Sequence, residues 1–348
     1  MPSGQLFKRI GAPSYLLISL SLFCPRAVTA AGQETTASVN TYSGEAAAVR
    51  ADVVGIKTSV SDTGSVGASG GERHSSALTF GLPNLVRGEV AHATAFAKGN
   101  VSASEASMAH LHVTVGGNII TSAFLAAHAH ARCTGTGVIV SADPNIIGLT
   151  VNGQPVQISG KPNQTIPLPN GRIIINEQAK ASTKTSGHIS VSALHIVIDG
   201  IADVALSEAN AGISCPSGPE TCGNDDFSTG GGFIVRSGAN ANFGVAGGIG
   251  VNGNFIGHLE YIDHSPNGTR VHGTSVTGYT RVNATTRAID GTARVNGQAG
   301  FTFHLVVTDD DSSGIDSFSI QLSNGYSASG NLMGGHIEIH GDCDSDDD

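Results

Sequence analysis

The chain has 348 residues, of which only 13% are charged and 47 are glycine, and its formal net charge is −10. The negative balance argues against a nucleic-acid partner, which would want a basic face, and persistent apolar/polar alternation argues against a disordered chain despite the sparse charge. A chain of this length predicts about two domains.

Residues 1–30 read as a signal peptide. Lys8 and Arg9 supply the basic start, and Tyr15 to Cys24 form an apolar run too short to cross a bilayer as a helix. Val28-Thr29-Ala30 offers small residues for cleavage before Ala31. Bulky Phe23 stands where a lipobox wants a small residue, so a lipoprotein reading of Cys24 is the weaker one. No later stretch is apolar for long enough to span a membrane. The processed chain is therefore expected to be secreted or at the cell surface, with no transmembrane segment.

Residues 31–75 are weakly patterned; Ala46 to Lys57 fits a short strand or a helical turn, and Asp62 to Gly71 a loop. From Val90 to Ala131 small residues alternate with polar ones. Leu111, Val113 and Val115 should share one strand face, and Met108, His110, His112 and Thr114 the other. Gly116-Gly117-Asn118 reads as a turn into the strand that starts at Ile119. The clearest segment is Leu149 to Gln178, where Asn152-Gly153 and Asn170-Gly171 punctuate alternating apolar runs, the strongest short-range hairpin signal. In Ile189 to Ile198 the alternation shifts near Leu194, which predicts a bulge. Asp199-Gly200 turns the chain towards Val204–Leu206.

Residues 216–228 combine Pro, Gly and acidic residues and read as a linker. Beyond it, Asn252-Gly253, Asn267-Gly268, Asp290-Gly291, Asn296-Gly297 and Asn324-Gly325 punctuate strands at Phe255 to Ile262, Thr269 to Val282, Phe301 to Val307 and Phe318 to Leu322. The predicted fold is all-β: two β-sandwich-like antiparallel domains in tandem, 31–215 and 229–341, with 342–348 an acidic tail. After the signal the cysteines are Cys133, Cys215, Cys222 and Cys343, an even count that favours disulfides in an exported chain. The preferred pairing is Cys133 with Cys215 and Cys222 with Cys343; a local Cys215–Cys222 loop competes with it.

Residues from about 40 to 215 resemble the choice-of-anchor P domain of bacterial exported proteins, through GLTVNGQPV, PNQTIPLPNGRIIINEQ, SALHIVI and the Ala-rich stretch ending at Cys215. Residues from about 226 to 340 resemble the module called post-COAP-1, through FSTGGGFIV, GHLEYIDH, VHGTSVTGY, AIDGTARVNGQ, DSFSIQLSNGY and ASGNLMGGHIEIH. The resemblance implies export and no established catalytic activity. The family is named for variable C-terminal anchors; this chain has no LPxTG-like motif and no hydrophobic segment after His340.

Histidine is abundant, at 14 residues. His110 with His112, and His128 with His130, are spaced to project in pairs from one strand face, but a hairpin turning at Gly116–Asn118 keeps the two pairs apart. In the second half, His336, Glu338 and His340 form a row on the face opposite Ile337 and Ile339. His258, Glu260, His264 and His272 form another. If these strands pair, imidazoles and carboxylates could build a zinc-type site; otherwise the rows are a polar outer face. Asp309, Asp311 and Asp316 have the composition of a calcium loop, although Ile320 at position twelve excludes an EF-hand, and an acidic turn explains them equally.

Gly248-Ile249-Gly250-Val251-Asn252-Gly253 matches a phosphate-loop pattern, but a strand rather than a helix should follow it. H-E-x-x-H does not occur. Tyr261, Tyr279 and Tyr326 are the aromatic candidates for glycan stacking in a chain without Trp. The sequence predicts an exported structural or binding module without catalytic activity, whose partners would be cell-surface components or glycans. The alternatives are a metal-dependent hydrolase using the His/Glu-rich face and a calcium-dependent glycan binder.

Overall fold

Alternation decides the outcome. In the computed structural model, which describes residues 39–215, 226–250, 252–310 and 314–340, every regular element is a strand and none of the described residues is helical. Ala46 to Lys57 resolves to strand, as the end of β1 (Thr41–Val53) and the start of β2 (Ile56–Asp62). The chain continues through β3 (Gly71–Leu82), β4 (Val86–Lys98), β5 (Val101–Val115), β6 (Asn118–Thr134) and β7 (Gly137–Ile147). Next come two short strands, β8 (Thr150–Val151) and β9 (Gln154–Pro155), and then β10 (Gln164–Leu168), β11 (Gly171–Ser182), β12 (Ser186–Ile198) and β13 (Ala202–Ser214). The second half holds β14 (Phe227–Arg236), β15 (Ala239–Ile249), β16 (Phe255–Asp263), β17 (Arg270–Arg281) and β18 (Thr286–Val295). It ends with β19 (Gln298–Thr308), β20 (Ser317–Leu322), β21 (Ser327–Asn331) and β22 (Gly334–His340).

Three antiparallel sheets result. The first runs β10-β11-β12-β13-β1-β2, and the second runs β3-β4-β5-β6-β8-β9 with β7 also on β6. The third has nine strands, β21-β20-β19-β18-β17-β16-β15-β14-β22. The first two sheets close one core, with Val49, Ile173, Ile196 and Leu206 meeting Met108, Leu111, Val113 and Leu125. The third curls around its own core: Phe243 on β15 stacks on Phe318 of β20 with ring centroids 4.0 Å apart, although those strands are far apart in the sheet. The Arg236 Nε donates to the Ser327 carbonyl at 3.3 Å, tying the end of β14 to β21. All the described residues belong to one compact unit.

Turn chemistry follows the Asn-Gly reading where both residues take positive φ, at Asn152 (51°) with Gly153 (77°) and at Asn296 (49°) with Gly297 (80°). Asp290-Gly291 is different, since it lies inside β18 and turns nothing. A Cβ on Gly291 would meet the Phe303 ring at 2.3 Å, so this glycine makes room rather than a bend. The shift near Leu194 is not a bulge with an extra residue. Ser192 pairs Glu208 and Leu194 pairs Leu206, so register is kept while Ala193 and Ser207 drop a rung, with Ser207 at φ 49°. Met108 also changes face: His110 at φ 48° breaks the alternation, and Met108 joins Leu111 in the first core.

Cys133 and Cys215 form the preferred disulfide, with Cα atoms 6.4 Å apart, and join the second sheet to the end of β13. Residues 1–30 with Cys24, the linker portion 216–225, Cys222, Asp311, Cys343 and the tail 342–348 lie outside the described residues. The last expected linker residues, 227 and 228, already belong to β14.

Candidate functional site

The second sheet has two covered faces. Along β6, Leu125, Ala127, Ala129 and Ala131 belong to the first core, while Phe124 and Ala126 pack with Phe233 of β14 in a separate cluster. By alternation His128 and His130 point with Phe124 and Ala126 towards the third sheet. Glycine makes this approach close: a Cβ on Gly231 would meet Ser107 Oγ at 2.2 Å, and one on Gly244 would meet the His92 Cβ at 2.7 Å. The glycine-rich runs of β14 and β15 are therefore a packing surface. Apolar contacts flank the layer, with Phe96 stacked on Phe227 at 4.8 Å and Phe124 packed with Phe233.

Between those contacts lies a buried polar layer holding most of the histidines. Glu260 is fully buried; it accepts from Ser76 Oγ at 2.8 Å and meets His272 Nδ1 at 2.7 Å. Burial raises its carboxyl above the ordinary value against the pull of His272. His258 Nε2 contacts His92 Nδ1, and His74 stacks on His258 with centroids 5.1 Å apart. Burial, and then the rings of His92, His74 and His272, hold the His258 pKa well below 6.5.

His92 Nε2 stands 3.6 Å from Glu105 Oε1, and His128 Nδ1 stands 3.9 Å from Glu105 Oε2. His128 Nδ1 is also 3.8 Å from Glu338 Oε2. Burial pushes the Glu338 carboxyl up, but His340, His130, His128 and His336 bring it down to about 2. Towards another part of the interface, Glu89 Oε2 lies 3.4 Å from His110 Nδ1 and 3.1 Å from His264 Nε2; bonds from both rings hold its carboxyl far below the ordinary range.

The two predicted rows thus face the second sheet rather than each other. β16 and β22 do not pair, because β15 and β14 lie between them, roughly 14 Å of sheet at ~4.8 Å per strand. His258, Glu260 and His272 gather with β3 and β4; His264 joins Glu89 and His110; Glu338 and His340 meet His128 and His130. Two sets bring three potential ligand atoms within 4.8 Å of one another: Glu89, His110 and His264, and His130, Glu338 and His340. His74, Ser76, Glu89, His92 and Glu105 were not singled out in the sequence. Their signal was present: a strand of Ala and Ser covered on both faces must pair any Glu it contains.

The acidic loop serves β22. Ile337 N donates to Asp316 Oδ2 at 2.7 Å, and Ile339 N to Asp309 Oδ2 at 2.8 Å. His336 Nδ1 contacts Asp316 at 2.9 Å; burial lowers the His336 pKa, but Asp316 carries it up to about 9. Asp309 and Asp316, two of the carboxylates proposed for calcium, are thus engaged with a strand edge. Two of the three candidate tyrosines are withdrawn from the surface. Tyr261 and Tyr279 are core residues, and Tyr326 OH donates to Asp263 Oδ2 at 2.9 Å.

A second feature lies on the outer face of the first sheet, a groove of about 500 Å³ lined by Arg50, Asp62, Glu177, His195, Asp203 and Glu208 among others. His195 is bound on both sides, by Glu177 at 2.6 Å and Asp203 at 2.8 Å, and Arg50 bonds Glu45 at 3.0 Å and Asp62 at 3.1 Å.

No protein-family model, curated protein or solved structure matches the chain.

Proposed function

We propose that the chain is an exported structural or binding module of the cell exterior, without catalytic activity. The observation that carries this reading is the burial of the His/Glu layer. The side chains best suited to chemistry, His92, Glu105, His258 and Glu260, are all under a tenth exposed and walled between two sheets, where a substrate would have to part the sheets to reach them. A hydrolase instead needs an open position beside its acid, base or metal.

Three further features support the reading. A signal-peptide pattern precedes the strands, a disulfide suits an oxidising compartment, and the ordered motifs resemble the choice-of-anchor P and post-COAP-1 modules. Binding to a cell-surface component or glycan would fall to the open charged groove around Arg50 and His195.

The test is expression with the native first thirty residues in a bacterial host, followed by mass spectrometry of the N-terminus. The purified product is then assayed on ester, phosphoester and glycoside substrates. The reading expects cleavage before Ala31, an extracytoplasmic product and no turnover with or without zinc. An unprocessed cytoplasmic product, or turnover abolished by Glu105→Gln, would refute it.

A further inference from the structure

We infer that the buried layer holds a divalent transition-metal ion of the zinc class, clamped between the second and third sheets by His130 of β6 and by Glu338 and His340 of β22. One ligand atom from each of these residues lies within 4.8 Å of the others. Strand periodicity builds the set. His128 and His130 are two apart on β6, and Glu338 and His340 are two apart on β22, so each pair projects from a single face. The two faces oppose one another: the His130 and His340 rings stack with centroids 6.0 Å apart. Imidazole and carboxylate ligands suit zinc among the common divalent ions.

Burial supplies the independent sign of a ligand. The His128 side chain is 6% exposed, and neither ring nitrogen has a hydrogen-bond partner, although Nδ1 points within 3.8 Å of Glu338 Oε2. Glu105 is 2% exposed, and neither of its oxygens has a hydrogen-bond partner. Buried polar groups are rarely left so, because losing water without a replacement is costly. Water does not solve the problem for Glu105. The gap beside it, lined in part by Thr94, Thr229, Glu338 and His340, is too narrow for a water molecule.

A bare dication is smaller than water and draws its ligands inward. His128, with Nδ1 3.8 Å from Glu338 Oε2 and 3.9 Å from Glu105 Oε2, lies beside this three-residue set and links it to Glu105. With ligands drawn from β6 and β22 and no room for water in the gap beside Glu338 and His340, the ion is a structural clamp between the two halves of the chain. The Glu89–His110–His264 set is a weaker candidate. Its rings stand 3.4 and 3.1 Å from the Glu89 carboxylate, and His110 is 40% exposed, so this set is open to water.

The test is calorimetric titration of the full chain, stripped with EDTA, with zinc sulfate. The expected result is one zinc per chain and a raised thermal midpoint. Glu338→Gln, which keeps the side-chain shape, and His130→Ala should each weaken binding about tenfold or more. His304→Ala, at an exposed histidine, should change nothing. If His130→Ala fails to fold by circular dichroism, Glu338→Gln decides alone. No zinc uptake, or uptake that Glu338→Gln leaves unchanged, would overturn the inference. Either result would leave the exported-module reading standing, since that reading needs no metal.

Discussion

The second sheet meets its two neighbours in opposite ways. Against the first sheet it presents Leu125, Ala127 and Leu111, and the contact is an apolar core with a disulfide at its margin. Against the third it presents His92, Glu105 and His128, and the opposing strands answer with glycine, histidine and glutamate. The first contact gains from removing apolar surface from water. The second gains little that way at its centre and is held by polar contacts, with His128 and Glu105 left without a hydrogen-bond partner. The same strands thus hold one neighbour by apolar area and the other through a polar layer.

Shortening a side chain in the apolar contact should have the largest effect. Leu125 is fully buried in the first core, so Leu125→Ala should cost about 2–5 kcal/mol, through lost transfer energy and a residual cavity. Urea unfolding reads this as a lower midpoint with an unchanged slope. A loss below about 1 kcal/mol would mean that this contact is looser than described.

The polar contact should be broken by addition rather than removal. Gly244→Val would drive a side chain into His92, whose Cβ already stands 2.7 Å from where a Cβ at Gly244 would lie. Overpacking of this kind costs about 1–3 kcal/mol. Because the contact joins the two halves, the variant should also expose the third sheet to limited proteolysis. Unchanged proteolysis would show that the sheets do not depend on this approach.

Acid should have the smallest and most selective effect. His258 is held neutral by burial and by His92 on β4, His74 on β3 and His272 on β17, while in the unfolded chain it keeps a value near 6.5. Between its lowered folded value and 6.5, the unfolded chain binds a proton that the folded chain refuses. Stability should therefore fall as pH drops below 6.5, by at most ~1.4 kcal/mol per pH unit for this one group. Glu260, raised by burial, works in the opposite sense. Glu105 is pushed up by burial but brought below its ordinary value by His128 and His92, so it adds to the loss only in stronger acid, below 4.5. His258→Gln should flatten the slope between pH 6.5 and 5. An unchanged slope would remove His258 from the account.

Much of the apolar contact was legible in the sequence, because alternation and Asn-Gly turns are local signals. Ile189 to Ile198 and Leu111 to Val115 gave their inward faces directly. The failures came where the backbone leaves the regular rung pattern, at His110 and Ser207, since a positive φ at a non-glycine residue leaves no mark on hydropathy. The polar contact was half legible. His258, Glu260, Glu338 and His340 stood out as rows, but their partners sit more than a hundred residues earlier, on β3 to β6. Only the strand order, which places β14 and β15 between β16 and β22, shows that the rows are joined through a different sheet. Packed against Ser107 and His92, the glycines of FSTGGG and GVAGG are clearance.

Differential scanning calorimetry of the full chain at neutral pH tests most directly whether the buried His/Glu layer makes one body of the two cores. The account predicts one transition, with calorimetric and van't Hoff enthalpies equal, that splits into two in Gly244→Val. Two separate transitions in the unaltered chain, unmoved by Gly244→Val, would contradict it.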